Sequence, residues 1–115
     1  MPIVERVLAR VEVDDLEAAL DTYRVLAGTT EVRRFRFGAV ELAWVGPFLL
    51  LAGEAEELSR VRRTATLLVA DIEAAGAAVT AGGGQVLEGP GEGPNGARMI
   101  ARHGDGAVFE YIQPG

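Results

Sequence analysis

The 115-residue chain contains no cysteine and no lysine, and it has a single histidine, His103, and a single serine, Ser59. Without cysteine there is no disulfide, no thiolate nucleophile and no Cys-ligated zinc. Without lysine there is no Schiff base and no Walker-type phosphate lysine. A Ser-His-Asp triad would have to use Ser59 and His103, and Ser59 lies in a charged segment that lacks the glycines of a nucleophile elbow. A metal site could draw on one imidazole per chain and would otherwise need carboxylates. Base is also scarce: 17 acidic against 11 basic residues give a formal charge of −6. That argues against nucleic acid, whose phosphates call for a basic stripe. The longest apolar run, Pro47 to Ala52, is far short of the ~20 residues that span a bilayer. The opening residues, Met1 to Arg6, form no apolar leader core. The expectation is a cytoplasmic protein with no membrane partner.

The chain is 49% hydrophobic and 24% charged, and its length fits one domain. A domain of this size can bury roughly two-thirds of its unfolded surface. Val7, Ala9, Val11 and Val13 alternate with Leu8, Arg10 and Glu12, the period-two pattern of a strand with one greasy and one mixed face. Asp14, with Glu17 three residues on, reads as an acidic capping box. Leu16, Ala19, Leu20, Tyr23 and Leu26 then form the buried stripe of a helix that Gly28 stops. Strands are predicted over 30–37, 39–45 and 48–52, punctuated by Gly38 and Gly46-Pro47. A second series follows the charged segment 54–63. It comprises a strand over 64–69, a helix from Asp71 to about Ala81, and strands over 85–87, 97–103 and 107–112. Offset by 56, Val13, Asp15, Glu17, Ala18, Ala19 and Gly28 match Val69, Asp71, Glu73, Ala74, Ala75 and Gly84. The repeat implies two βαβββ modules, about residues 5–53 and 64–113, with 54–63 as a linker. The predicted fold is α+β: tandem modules forming curved mixed sheets around a shared concave pocket, helices outside.

The strings Val13-Asp14-Asp15-Leu16-Glu17-Ala18-Ala19, Val69-Ala70-Asp71-Ile72-Glu73-Ala74-Ala75 and Arg102-His103-Gly104-Asp105-Gly106-Ala107-Val108-Phe109-Glu110-Tyr111-Ile112 resemble the vicinal oxygen chelate superfamily. That superfamily includes glyoxalases, bleomycin-resistance proteins and extradiol dioxygenases. In its members the last string usually carries a proline turn before a glutamate on the final strand; here Gly104 stands where that proline is common. The resemblance implies four metal-ligand positions, which fall on Leu8, Leu50, Thr64 and Glu110. Only Glu110 is a usual ligand, since leucine offers no lone pair and a threonine hydroxyl is weak. The metal-free, bleomycin-resistance-like members are therefore the closer analogy, with no metal and no cofactor expected.

The parity of the strands puts Arg10, Glu12, Thr64, Thr66 and Glu110 as polar groups, and Leu8, Phe48, Leu50, Leu68 and Ile112 as apolar ones, in the concavity. A few polar groups on a greasy wall is the composition of a small-molecule pocket. The candidate ligand-binding residues are Arg10, Glu12, Phe48, Leu50, Thr64, Thr66, Glu110 and Ile112. Glu110 and Glu12 would face a cationic or polyhydroxylated ligand and Arg10 an anionic group on it; alternatively Arg10 pairs with Glu110 or Glu12 to fill a polar core. His103 reads as a strand end bonded to the Asp105 turn or to water, or as a catalytic group. The Gly-rich segment 89–96 reads as a solvated connection or a mobile flap. Arg33, Arg34 and Arg36 read as edge-strand charges or an anion site. The leading function is metal-independent binding of a small molecule, the sequestration of an antibiotic or secondary metabolite, by a homodimer. The alternatives are a metal-dependent lyase, isomerase or dioxygenase of the same superfamily, and a metal-free acid–base enzyme using Glu110 or Glu12.

Overall fold

A computed structural model describes residues 2–115. The elements follow in the order β1 (Val4–Glu12), α1 (Leu16–Ala27), β2 (Arg33–Phe37), β3 (Val40–Val45), β4 (Phe48–Ala52), α2 (Ala55–Arg60), β5 (Thr66–Val69), α3 (Ile72–Ala81), β6 (Gln85–Gly93), β7 (Gly96–Arg102) and β8 (Val108–Pro114). The fold class is α+β, as expected. Among the described residues no helix is long and apolar enough to cross a membrane. The chain forms two compact units, Leu8–Arg62 and Arg63–Gly115, the latter joined by the residues up to Val7.

In Leu8–Arg62 the strand order is β2-β3-β4-β1, with β1 parallel to β4 and the other pairs antiparallel. Helix α1 starts at Asp15, whose carboxylate accepts from Ala18 N at 3.3 Å. The cap is thus one residue later than the box read from Asp14. It ends at Gly28, which sits at φ 67°, a left-handed conformation that favours glycine. Leu16 and Leu20 carry the buried stripe onto Ala43, Val45 and Leu50 of the sheet. The charged segment expected as a linker instead holds α2, where Arg60 bonds Glu56 and Glu57 one turn back and Leu58 is buried.

In the other unit the order is β5-β8-β7-β6, with β5 parallel to β8 and the rest antiparallel. Asp71 caps α3 with bonds from Glu73 N at 3.0 Å and Ala74 N at 3.2 Å. Gln113 of β8 accepts from Ile72 N at 2.9 Å, tying the helix start to the sheet. The core beneath α3 contains Leu67, Val69, Ile72, Ala75, Met99, Ala101 and Tyr111. The Gly-rich segment is not an irregular connection: β6 continues to Gly93, paired with β7 through two register shifts, and the chain turns at Pro94-Asn95. Glycines hide a strand from a pattern search because they supply no alternating side chains.

Candidate functional site

Strand register decides which side chains share a face. In Arg63–Gly115, Thr66 pairs with Glu110 and Leu68 with Ile112, while Leu67 pairs with the core residue Tyr111. On β7, Ile100 pairs with Glu110 and Arg98 with Ile112. Thr66, Leu68, Arg98, Ile100, Glu110 and Ile112 therefore lie together on the face turned away from α3.

A polar cluster occupies this face. The Thr66 hydroxyl donates to Glu110 Oε1 at 2.8 Å. Arg98 Nε donates to Glu110 Oε2 at 3.1 Å, and its Nη1 donates to Glu88 Oε2 at 2.8 Å. Side-chain exposure is 13% for Glu110 and 16% for Arg98 but 61% for Glu88. The cluster thus has a desolvated centre and one carboxylate in water. A buried charge must be paired, and Arg98 supplies the partner for Glu110. Thr66 itself is fully buried, and Leu68, Ile100 and Ile112 beside it are nearly so. Thr64 lies just outside β5, exposed, with its N–H on Val108 O at 2.8 Å.

Within Leu8–Arg62 the two polar residues take local partners. Arg10 Nη2 donates to Val61 O at 2.7 Å. Arg62 forms a fork on Glu12, Nε to Oε2 and Nη2 to Oε1, both 2.8 Å. The hydrogen bond from Arg62 holds the Glu12 carboxyl below its ordinary pKa against a small opposing effect of burial, with further lowering from the charges of Arg62 and Arg10. Each glutamate read as facing a cation has an arginine at hydrogen-bonding distance.

Phe48 and Leu50 fall on the other face. They pair with Ala9 and Val11 and pack beneath α1, Phe48 edge-on against Tyr23 at 4.9 Å. The residues opposite Arg10 and Glu12 are Leu49 and Leu51. As Glu110 stands opposite Thr66, so Leu49 stands opposite Arg10, and matching the two final strands takes one residue more than the offset that selected Leu50. Trp44 lies opposite Leu49 and donates its indole N–H to Gly46 O at 2.9 Å. Of the basic run, Arg34 bonds Glu17 and Arg36 bonds Glu41, so the strand-edge reading accounts for both.

Arg98 and Glu88 were not singled out by sequence reasoning. The alternation of Arg98 with Met99 was visible, and it puts Arg98 on the face of Ile100. Glu88 was not legible. With Val86 opposite Ala101, regular pairing would set residue 88 against the core residue Met99. A bulge between them sets it against Ile100 instead and turns its side chain to Arg98.

The residues do not fit a metal ion. Three of the four positions implied by resemblance carry leucine or threonine whichever leucine is chosen. The fourth, Glu110, already accepts from a hydroxyl and a guanidinium, and that positive charge disfavours a cation there. Among the described residues no group of three His, Cys, Asp or Glu could hold a metal.

No protein-family model and no curated protein matches the sequence. Solved structures do. An uncharacterized protein from Methanosarcina mazei is 35% identical over 100% of this chain and 95% of its own, with a TM-score of 0.90. Methylmalonyl-CoA epimerase from Mycobacterium tuberculosis is 16% identical over 100% of this chain and 91% of its own, with a TM-score of 0.72. A variant methylmalonyl-CoA epimerase from Streptomyces coelicolor, in complex with 2-nitronate-propionyl-CoA, is 19% identical over 96% of this chain and 98% of its own, with a TM-score of 0.68. At such identities the two epimerases share the fold with this chain.

Proposed function

Because the chain belongs to one family with the Methanosarcina mazei protein and has the fold of the vicinal oxygen chelate superfamily, we propose that it is a metal-independent small-molecule-binding protein. Its binding face is formed by Thr66, Arg98, Glu110 and Ile112. The observation that carries this reading is the occupation of Glu110: one carboxylate oxygen is held by Thr66 and the other by Arg98. A fixed ion pair set among the nearly buried Leu68, Ile100 and Ile112 puts directional polar groups in an apolar setting, the composition by which small ligands are oriented. Reversible burial of a metabolite or antibiotic, by a homodimer, is the activity this implies. Native mass spectrometry after exposure to manganese, nickel, cobalt and zinc tests it. The expected mass is that of metal-free protein after desalting. One retained metal ion per chain, lost in Glu110→Gln, would overturn it and favour the metal-dependent lyase, isomerase or dioxygenase alternative.

The epimerase structures favour a second reading, proton transfer at a carbon atom by Glu110 acting as a base. Incubation with methylmalonyl-CoA in D2O checks it. Deuterium entering the acyl group, and failing to enter with Glu110→Gln, would put this reading first.

A further inference from the structure

Helix α3 and the edge strand β6 do not close on each other. Between them runs a groove of about 560 Å3, lined by Gly76, Ala77, Thr80 and Ala81 from the helix and by Val86 and Pro90 from the strand. It lies on the α3 side of its sheet, whereas Thr66, Arg98 and Glu110 lie on the other side. Ala77, Thr80, Ala81 and Pro90 are exposed, and Gly76 and Val86 are half-buried, so the walls are open to solvent. Met99, wholly buried, closes the floor.

A glycine in the middle of α3 deepens this hollow. A Cβ at Gly76 would stand 3.5 Å from Met99 Sδ and 3.7 Å from Val86 Cγ2, ordinary van der Waals distances. Packing therefore does not require glycine there. Alanine would fit and is the better helix former. A glycine kept inside a helix without a packing reason points to a functional one.

The charges around the groove have one sign. Between Arg63 and Arg98 the chain carries Asp71, Glu73, Glu88 and Glu92 and no lysine, arginine or histidine. Glu88 turns to Arg98 on the other face. Glu73 lines the groove from the first turn of α3. Glu92 is in register with Ala97, which packs against the core beneath α3. Ala97 is in turn in register with Gln113, which accepts from Ile72 N. Glu92 therefore stands at the end of the groove where α3 begins. Asp71 caps that end and offsets the positive pole of the helix. The apolar trough thus opens, at one end, onto carboxylates with no base among them.

From this geometry we infer that the groove is a second binding site, for a small organic cation made of an ammonium group on an apolar chain. The chain lies along α3 over Gly76, Ala77 and Ala81, and the ammonium meets Glu73 and Glu92. From Glu73 to Ala81 the helix rises about 12 Å, the reach of an extended alkyl chain of medium length. Charge complementarity decides the head group, because an anion would be repelled by the same carboxylates. A neutral amphiphile gains the apolar contact alone. The site is separate from the Glu110 face and does not depend on it.

The test is NMR titration of the full chain with octyltrimethylammonium, with octanol and octyl sulfate as neutral and anionic controls, all below the concentrations at which they form micelles. The signals followed are the methyls of Ala77, Ala81 and Val86. The cation is expected to shift them and to bind more tightly than octanol, and octyl sulfate more weakly. Glu73→Gln and Glu92→Gln are each expected to weaken the cation roughly threefold, as befits an exposed ion pair, and to leave octanol unchanged. Gly76→Leu is expected to fill the groove and abolish binding of both. If Gly76→Leu does not fold, Gly76→Ala serves in its place, and it is expected to raise the urea midpoint while weakening both probes. Equal binding of the cation and octyl sulfate, or an unchanged cation affinity in Glu73→Gln/Glu92→Gln, overturns the cation assignment. Undiminished binding in the Gly76 variants, or methyls of Ala77, Ala81 and Val86 that move with no probe, overturns the groove as a site. Shifts confined to the methyls of Leu68, Ile100 and Ile112 overturn it too, while supporting the Glu110 face.

Discussion

At the scale of the residue, the lone histidine has a partner that its sequence neighbours did not announce. His103 Nε2 lies 2.5 Å from the Tyr111 hydroxyl, and the ring stacks on Phe109 with centroids 4.4 Å apart. His103 N bonds Ala107 O across the Gly104-Asp105-Gly106 turn, while the Asp105 carboxylate accepts from Ala107 N rather than from the imidazole. The strand-end reading of His103 holds: its backbone bonds the Asp105 turn, with Gly106 N donating to His103 O at 2.9 Å, while its ring turns to Tyr111. Tyr111 is almost wholly buried, so its hydroxyl needs a partner inside the protein. Removing that partner is costly, whereas removing the hydroxyl itself is less so. His103→Leu is expected to destabilise the fold by about 1–3 kcal/mol in urea unfolding. Tyr111→Phe is expected to cost less, and the double variant to lie close to Tyr111→Phe plus the lost stacking. Strict additivity would mean that the hydrogen bond contributes nothing.

At the scale of the element, the helix caps distinguish neighbouring aspartates. Asp15 and Asp71 cap α1 and α3, and Asp71 accepts from two backbone N–H groups. Asp71→Ala and Asp15→Ala are each expected to lose about 1 kcal/mol of stability. Asp14→Ala is expected to stay within about 0.5 kcal/mol, the usual range for a surface change. A larger loss at Asp14 than at Asp15 would restore the capping box read from sequence. Much of the element order was legible because alternation, apolar stripes and stop glycines each arise from one local rule. The spans of β4 and α3 follow directly from those rules, and so do the shared faces of Thr66, Leu68, Glu110 and Ile112. What failed needed information from a second strand. Leu50 was assigned to the wrong face because an alignment offset of one residue inverts every side chain on a strand. Glu88 was hidden because a bulge changes parity without leaving a mark in its own sequence. The helix α2 was missed because a six-residue, charge-rich segment has too short a period to recognise.

At the scale of the whole molecule, the composition that opened the sequence reading also shapes the dependence of stability on pH. Glu12 has its folded pKa depressed by the Arg62 hydrogen bond. A depressed carboxyl contributes stability above its unfolded pKa and loses it as pH falls through the folded value. The stability difference between the native chain and Glu12→Gln should therefore be full at neutral pH and should narrow below about pH 4.3. The Glu12–Arg62 side chains are 37% and 59% exposed, so salt should shrink the same difference. At the other end of the scale burial raises the pKa of Tyr111. A raised phenol contributes stability that is complete below its unfolded pKa and is lost as pH rises through the folded value. A chain with no lysine and no cysteine leaves tyrosine as the only side-chain type expected to lose a proton in the alkaline range below arginine. Alkaline unfolding can therefore be assigned to a residue, as it could not in a lysine-rich protein. Urea unfolding at pH values from 8 to 11.5 should show the native chain losing stability above about pH 10, with Tyr111→Phe nearly flat over the same range. An alkaline loss that persists undiminished in Tyr111→Phe would remove Tyr111 from the account.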